Sequence, residues 1–165
     1  MTNKELQEKI ARLETELTEV KEMAVAMKKK ADGGGVFQPQ DEEKYWYISG
    51  SGEAYVCWWK NHPTDHDRYS IGNCYLTEQS AKDVVRALKL IQKARESQDG
   101  FVPDWEDETQ HKYFLDFHRG NIGIADYLSI NVAPIFGFWE DESVCEQFID
   151  ENREEILWFF KEYRR

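Results

Sequence analysis

The chain has 165 residues, of which 14% are aromatic and 32% charged, and its formal net charge is −11. This aromatic content is enough to build a core, so the composition excludes a disordered chain. Residues 1–35 hold seven basic and seven acidic side chains, so the excess negative charge lies on residues 36–165. An acidic body repels phosphates. We therefore expect no direct binding to nucleic acid or membrane, and a basic protein as partner.

Residues 1–31 are predicted to form a helix that dimerises. Its apolar residues alternate at spacings of four and three: Leu6, Ile10, Leu13, Leu17, Val20, Ala24 and Met27. Isoleucine at a and leucine at d positions favour a parallel two-stranded coiled coil, and Glu16 with Lys21 supplies opposite charges at g and e. The alternative is a stripe that packs on the body of its own chain. Residues 32–43 are predicted to be a flexible linker that starts with Asp-Gly-Gly-Gly.

The first of two similar modules is predicted over residues 44–98, within an α+β fold. Aromatic and β-branched runs at 45–48 and 54–59 predict a hairpin that turns at Ser49–Gly52. A loop at 60–68 and a third strand at 69–76, interrupted at Gly72-Asn73, should follow. Thr77 is then a natural helix cap, and a helix ending near Glu96 should cover one sheet face with a stripe of Ala81, Val84, Val85, Leu88 and Ile91.

The second module, residues 99–165, repeats this order and adds a C-terminal helix. A hairpin is predicted over 113–117 and 123–128, with its turn at Arg119-Gly120-Asn121, and a third strand over 135–139. Asp141 replaces Thr77 as the helix cap. Val144, Cys145, Phe148 and Ile149 form the new stripe, and Ile156, Phe159, Phe160 and Tyr163 belong to the last helix.

A resemblance rests on the run Lys44-Tyr-Trp-Tyr-Ile, on Gly52-Glu53 and Trp58, and on the segment from Asp67 to Thr77. These stretches resemble small uncharacterised proteins encoded by bacteriophages and prophages, mostly of Gram-positive hosts, which often carry a charged N-terminal coiled coil. The resemblance implies a viral origin and no activity. Asn131–Pro134 departs from the pattern.

Few residues are arranged for chemistry. Cys57, His62, His66 and Cys74 could be written as a zinc set, but the short Cys-x2-Cys arm is missing, and core thiols beside a solvated histidine loop are the simpler interpretation. The three cysteines lack regular spacing, which favours reduced thiols. No nucleophile motif or phosphate loop is present, so we expect a protein that is not an enzyme and needs no metal or cofactor.

Two features suggest binding surfaces. Acidic residues recur at helical spacing at Glu142, Glu146 and Asp150, which predicts one exposed face that could attract a basic protein. The simpler interpretation is a solvated helix face. Six Trp and eight Tyr exceed what so small a fold can bury, so Trp58, Trp59 and Trp105 are candidates for a binding surface. Trp58 and Trp59 could instead cover opposite faces of the sheet.

The leading hypothesis from sequence is a phage accessory protein that dimerises and binds a host protein, as an inhibitor of a defence or nucleic-acid-processing protein. One alternative is a sponge that sequesters a small nucleotide signal, which would need cations such as Lys60, Arg68, Lys112 and Arg119. Another is a structural or assembly factor of the virion. No apolar run reaches transmembrane length and no signal peptide is apparent, so we expect a protein of the bacterial host cytoplasm.

Overall fold

The computed structural model describes residue 9 and residues 37–126 and 134–164. The seven predicted coiled-coil positions from Leu6 to Met27 lie outside the described residues. The chain divides into two compact units, unit 1 (residues 1–81) and unit 2 (residues 82–165). The fold is mixed α+β, with two separate two-stranded antiparallel sheets and three α-helices in the described part.

The elements follow one another as β1 (Lys44–Ile48), β2 (Ala54–Trp58), α1 (Pro63–Ser70), α2 (Glu78–Ser97), β3 (Tyr113–His118), β4 (Asn121–Asp126) and α3 (Glu142–Trp158), with a π-helical turn at Phe159–Tyr163. Among the described residues, no helix combines the length and the apolar composition that crossing a bilayer requires.

Unit 1 is built around the β1–β2 hairpin, which confirms the first predicted hairpin. Its core consists of Tyr45, Trp59 and Cys74, all under 5% exposed. The predicted loop at 60–68 is wrong, since α1 begins at Pro63. The His62 ring accepts a hydrogen bond from the backbone of Thr64, and Asp65 reciprocates by accepting from the backbone N–H of His62. Proline at the first helical position favours this start, but histidine is not a usual cap.

The third strand predicted for unit 1 is also wrong. Tyr69 and Ser70 end α1, and after them only Tyr75 pairs with the sheet, through an isolated antiparallel bridge to Trp46. Asn73 forms two hydrogen bonds with the backbone of Ile48, 2.7 Å to its N–H and 2.8 Å to its carbonyl. A side chain therefore takes the place that a strand backbone would fill.

Unit 2 holds the second hairpin, β3–β4, as predicted. Its two-residue turn has positive φ at Arg119 (51°) and Gly120 (85°), the geometry that suits the twist of a hairpin. The predicted third strand at 135–139 is wrong. Gly137 has a φ of 84°, which breaks the extended backbone, and Trp139 alone bridges to Tyr113.

The core of unit 2 lies between α2, α3 and the β3–β4 hairpin. Trp139, Cys145 and Ile156 are almost fully buried in it. The helix α2 contributes Ala87, Leu90 and Ala94 to this core. The apolar stripe predicted for α2 is therefore wrong in part, since its member Leu88 is 56% exposed. The helix thus packs its later turns into unit 2.

Candidate functional site

A cleft of about 490 Å³ opens in unit 2 where β3 begins and α3 starts. We call it the acidic cleft, and it is lined by His111, Tyr113, Glu140, Asp141, Glu142, Ser143 and Glu146. Four of the seven lining residues are carboxylic acids, and no described Lys or Arg lines it.

The fold fixes the walls of the acidic cleft through backbone contacts. The N–H of Tyr113 donates to the carbonyl of Trp139 at 2.9 Å, and the N–H of Trp139 donates back at 2.8 Å. This pair holds the start of β3 beside the segment that leads into α3. Asp141 then caps α3 by accepting from the backbone N–H and the hydroxyl of Ser143, each at 2.8 Å. These hydrogen bonds hold the two sides of the cleft next to each other. Thr77 and Asp141 both serve as the predicted helix caps.

The electrostatics of the acidic cleft are strongly negative. Burial raises the pKa of Tyr113, and the nearby carboxylates of Asp126, Glu142 and Asp141 raise it further because they oppose a phenolate. The hydrogen bonds from Ser143 lower the pKa of Asp141, so this cap remains ionised. The rings of His111 and Tyr113, which also line the cleft, stack at 5.7 Å with planes 10° apart. His111 Nδ1 lies 2.8 Å from Asp126 Oδ2.

Only two of the three residues of the predicted acidic face line the acidic cleft. Glu142, Glu146 and Asp150 are all exposed, while Phe148 and Ile149 are buried, as the helical spacing predicts. Glu142 and Glu146 line the acidic cleft, but Asp150 does not, and its carboxylate lies 3.7 Å from the guanidinium of Arg153.

The three candidate tryptophans differ. Trp58 is 50% exposed, with Lys44 Nζ 4.6 Å from its ring centre. Trp105 is 46% exposed and packs edge-on against Phe138. The prediction that Trp59 lies on a binding surface is wrong, since its side chain is 4% exposed. Residues 58 and 59 point to opposite faces of the hairpin, and Trp59 points into the core.

Sequence reasoning missed His111, Tyr113 and Ser143 as cleft residues. The repeated module order carried a usable signal, since it predicts that the start of the hairpin and the start of the helix are neighbours in each module. The tight pairing of Tyr113 with Trp139, which brings the aromatic wall to the acids, is not visible in the spacing.

The cations considered for a nucleotide site are largely engaged elsewhere. Lys112 is fully buried, and its ammonium donates to the carbonyls of Asp107 (3.2 Å) and Gln110 (2.8 Å). Arg68 donates to the hydroxyl of Tyr45 at 2.9 Å, and its guanidinium lies 3.6 Å from the ring centre of Tyr47.

The residues of the possible zinc set have structural contacts of their own. His62 caps α1, and His66 packs edge-on against Trp59 at 5.1 Å. Cys74 is buried in the core of unit 1, whereas Cys57 is half-buried. Within residues 37–126 and 134–164, no group of three or more His, Cys, Asp or Glu side chains is placed to hold a metal ion.

Comparison with models of known protein families, with curated proteins and with solved structures found no match to this chain.

Proposed function

We propose that this protein acts by binding rather than by catalysis, and that its acidic cleft receives a basic side chain of a partner protein. The observation that carries the proposal is the lining of the cleft, which combines four carboxylic acids with two stacked aromatic rings. As the sequence suggested, the partner is a basic host protein, and the chain acts as a phage accessory inhibitor of a defence or nucleic-acid-processing protein.

The chemistry of the cleft fits a guanidinium better than a simple ammonium. A guanidinium is planar, so it can stack on an aromatic face such as that of Tyr113 while it donates to a carboxylate in pairs. Glu140, Glu142 and Glu146 supply exposed carboxylates for such charge-assisted hydrogen bonds. The positive end of the α3 dipole opposes a cation, but it amounts to only about half a charge and Asp141 already caps it.

Some of the same residues resemble parts of an enzyme's acid–base site. His111 and Asp126 form a pair that could orient an acid–base imidazole, and Ser143 shares the cleft. The Ser143 hydroxyl, however, donates its proton to Asp141 Oδ1 at 2.8 Å, so it is held in the helix cap. The histidine therefore has no activated nucleophile here, and binding is the better proposal.

The nucleotide-sponge alternative is weakened by the positions of the cations. A nucleotide needs cationic donors near its phosphates. Of the four candidates, Lys112 is buried on backbone carbonyls and Arg68 is held between Tyr45 and Tyr47. Only Lys60 and Arg119 remain exposed among these four.

The test compares what three forms of the full chain capture from a lysate of a Gram-positive host. The first is the parent, and the second replaces the cleft acids Glu140, Glu142 and Glu146 by Gln. The third is a matched control that changes charge equally, with Asp150→Asn, Glu151→Gln and Glu154→Gln, all exposed positions of α3 outside the cleft lining.

We expect a basic protein that the parent and the control retain and the cleft variant loses, with capture that weakens as salt rises. Equal loss from both variants would mean that net charge alone attracts the partner. Equal retention by all three would exclude the acidic cleft.

A further inference from the structure

The hairpin of unit 1 has one closed edge and one open edge. On β1, the outward backbone groups of Trp46 are paired with those of Tyr75 at 2.8 Å, and those of Ile48 are paired with the side chain of Asn73. The outer edge of β1 is therefore covered by the same chain.

Among the described residues, no backbone group outside the hairpin pairs with the outer edge of β2, where the Cys57 thiol donates a long hydrogen bond of 3.8 Å to the Trp58 carbonyl. Trp46 is opposite Val56, and its backbone N–H and carbonyl are both hydrogen-bonded to Tyr75 on the other side of β1. Trp46 and Val56 are therefore not hydrogen-bonded to each other, and the N–H and carbonyl of Val56 point away from β1. The same alternation applies to Ala54 and Trp58. Val56 and Trp58 are each 50% exposed, so solvent reaches this edge. An open edge with apolar side chains is a template for another strand.

We propose that β2 pairs with β2 of a second copy of this chain, antiparallel and centred on Val56, to make a four-stranded sheet across a two-fold axis. In this register Val56 is opposite Val56 of the second copy, and Ala54 is opposite Trp58. All three residues point their backbone groups outward, so each opposed pair exchanges both of its hydrogen bonds. The edge is thus complementary to itself.

The uncharged strand β2 offers no acid to attract a basic partner, and it permits a second copy of the chain. No residue from Ala54 to Trp58 is charged, and residues 44–60 carry Lys44 and Lys60 against Glu53, a net charge of +1. The chain as a whole carries −11, so this hairpin is a surface where two copies can meet without opposing acids.

The pairing of two β2 strands alone is too small to make a stable dimer. A stable interface buries about 1,200–2,000 Å², more than two five-residue strands can supply. The coiled coil predicted for residues 1–31 would raise the effective concentration of the second hairpin to the order of millimolar. Edge pairing in the full chain therefore rests on that predicted dimer.

Cross-linking of the full chain tests the register. With Val56 on the axis, Tyr55 is opposite Cys57 of the second copy in a pair without mutual hydrogen bonds, about 4.5 Å between Cα atoms, within the range that a disulfide spans. Under a mild oxidant, Tyr55→Cys should give a disulfide dimer that links position 55 to Cys57. The control Ala54→Cys places its thiol on the other face, so it should not link to Cys57.

Amide hydrogen exchange of the unmodified chain gives a second readout that needs no variant. Pairing predicts that the amides of Ala54, Val56 and Trp58 exchange as slowly as those of Tyr55 and Cys57. Slow and fast amides alternating along β2 would overturn the proposal, as would equal cross-linking of both variants. If Tyr55→Cys fails to fold by circular dichroism, the exchange pattern alone decides.

Discussion

The buried carboxylate of Asp65 should be costly to remove from unit 1. It is 3% exposed and accepts from the Tyr45 hydroxyl (2.7 Å) and from the backbone N–H groups of Lys60 (3.0 Å) and His62 (3.1 Å). Asp65→Ala leaves these three donors without their acceptor. Since hydrogen bonds to a charged group contribute about 1.5–3 kcal/mol each and are not additive, we expect a loss of about 3 kcal/mol in the free energy of unfolding of unit 1. For a unit of this size that lowers the midpoint of thermal unfolding by roughly 15 °C.

The pH dependence of this effect has a defined sign. Burial alone would raise the pKa of Asp65, but the hydrogen bonds from Lys60, Tyr45 and His62 and the charge of Arg68 lower it below its ordinary 3.8. A lowered pKa in the folded state means that the ionised carboxylate contributes stability above about pH 4 and loses it as pH falls through the folded value. The difference between the parent and Asp65→Ala should therefore shrink in acid.

The assay is urea unfolding of the full chain, followed by tryptophan fluorescence, at pH 7 and in a series down to pH 3. Asp67→Ala is the matched control, because Asp67 is an exposed acid on the same helix. We expect it to change stability by less than about 0.5 kcal/mol. Equal effects of the two substitutions at pH 7, or a difference that does not depend on pH, would refute the role assigned to Asp65.

Two further predictions concern packing. Burial raises the pKa of Cys74 to about 11 and that of Cys145 to about 12, so at pH 8 a thiol reagent should modify the half-buried Cys57 alone in the native chain, as mass spectrometry of the digest would reveal. Modification of all three at equal rates would contradict the buried positions. Gly137→Ala should lower the free energy of unfolding by more than about 1 kcal/mol. The φ of Gly137 is 84°, and a new Cβ would lie 2.7 Å from the side-chain amide nitrogen of Gln98. Gly50→Ala, where a Cβ meets nothing within 4 Å, is the control, and equal unfolding midpoints for the two variants would exclude this packing.

Local signals in the sequence predicted the local structure well. The glycine after Arg119 supplies the positive φ that the two-residue turn needs, and Thr77 and Asp141 are good helix caps, so all three positions were recognised. The helix α1 was missed because its cap is His62 and because several charged residues in a row suggested a solvated loop. Its start depends on the reciprocal bonds between His62 and Asp65, a local capping box made by a residue pair that does not match the usual Ser/Thr and Glu/Gln pattern.

Packing between distant residues could not be predicted from local patterns. The stripe predicted for α2 comprises Ala81, Val84, Val85, Leu88 and Ile91, yet the core of unit 2 takes Ala87 and Ala94 and leaves Leu88 in solvent. The surplus of Trp and Tyr makes Trp59 a surface candidate, but Trp59 is 4% exposed, as expected from the alternative in which residues 58 and 59 cover opposite faces. The acidic cleft itself depends on the pairing of Tyr113 with Trp139 across an interval of many residues.

The most direct test of the binding proposal maps where a captured partner contacts this protein. Amide hydrogen exchange of the full chain, free and in the purified complex, should show new protection at residues 111–113 and 140–146, the two segments that line the acidic cleft. Protection confined to other segments, with both of these unchanged in the complex, would contradict the acidic cleft as the binding site.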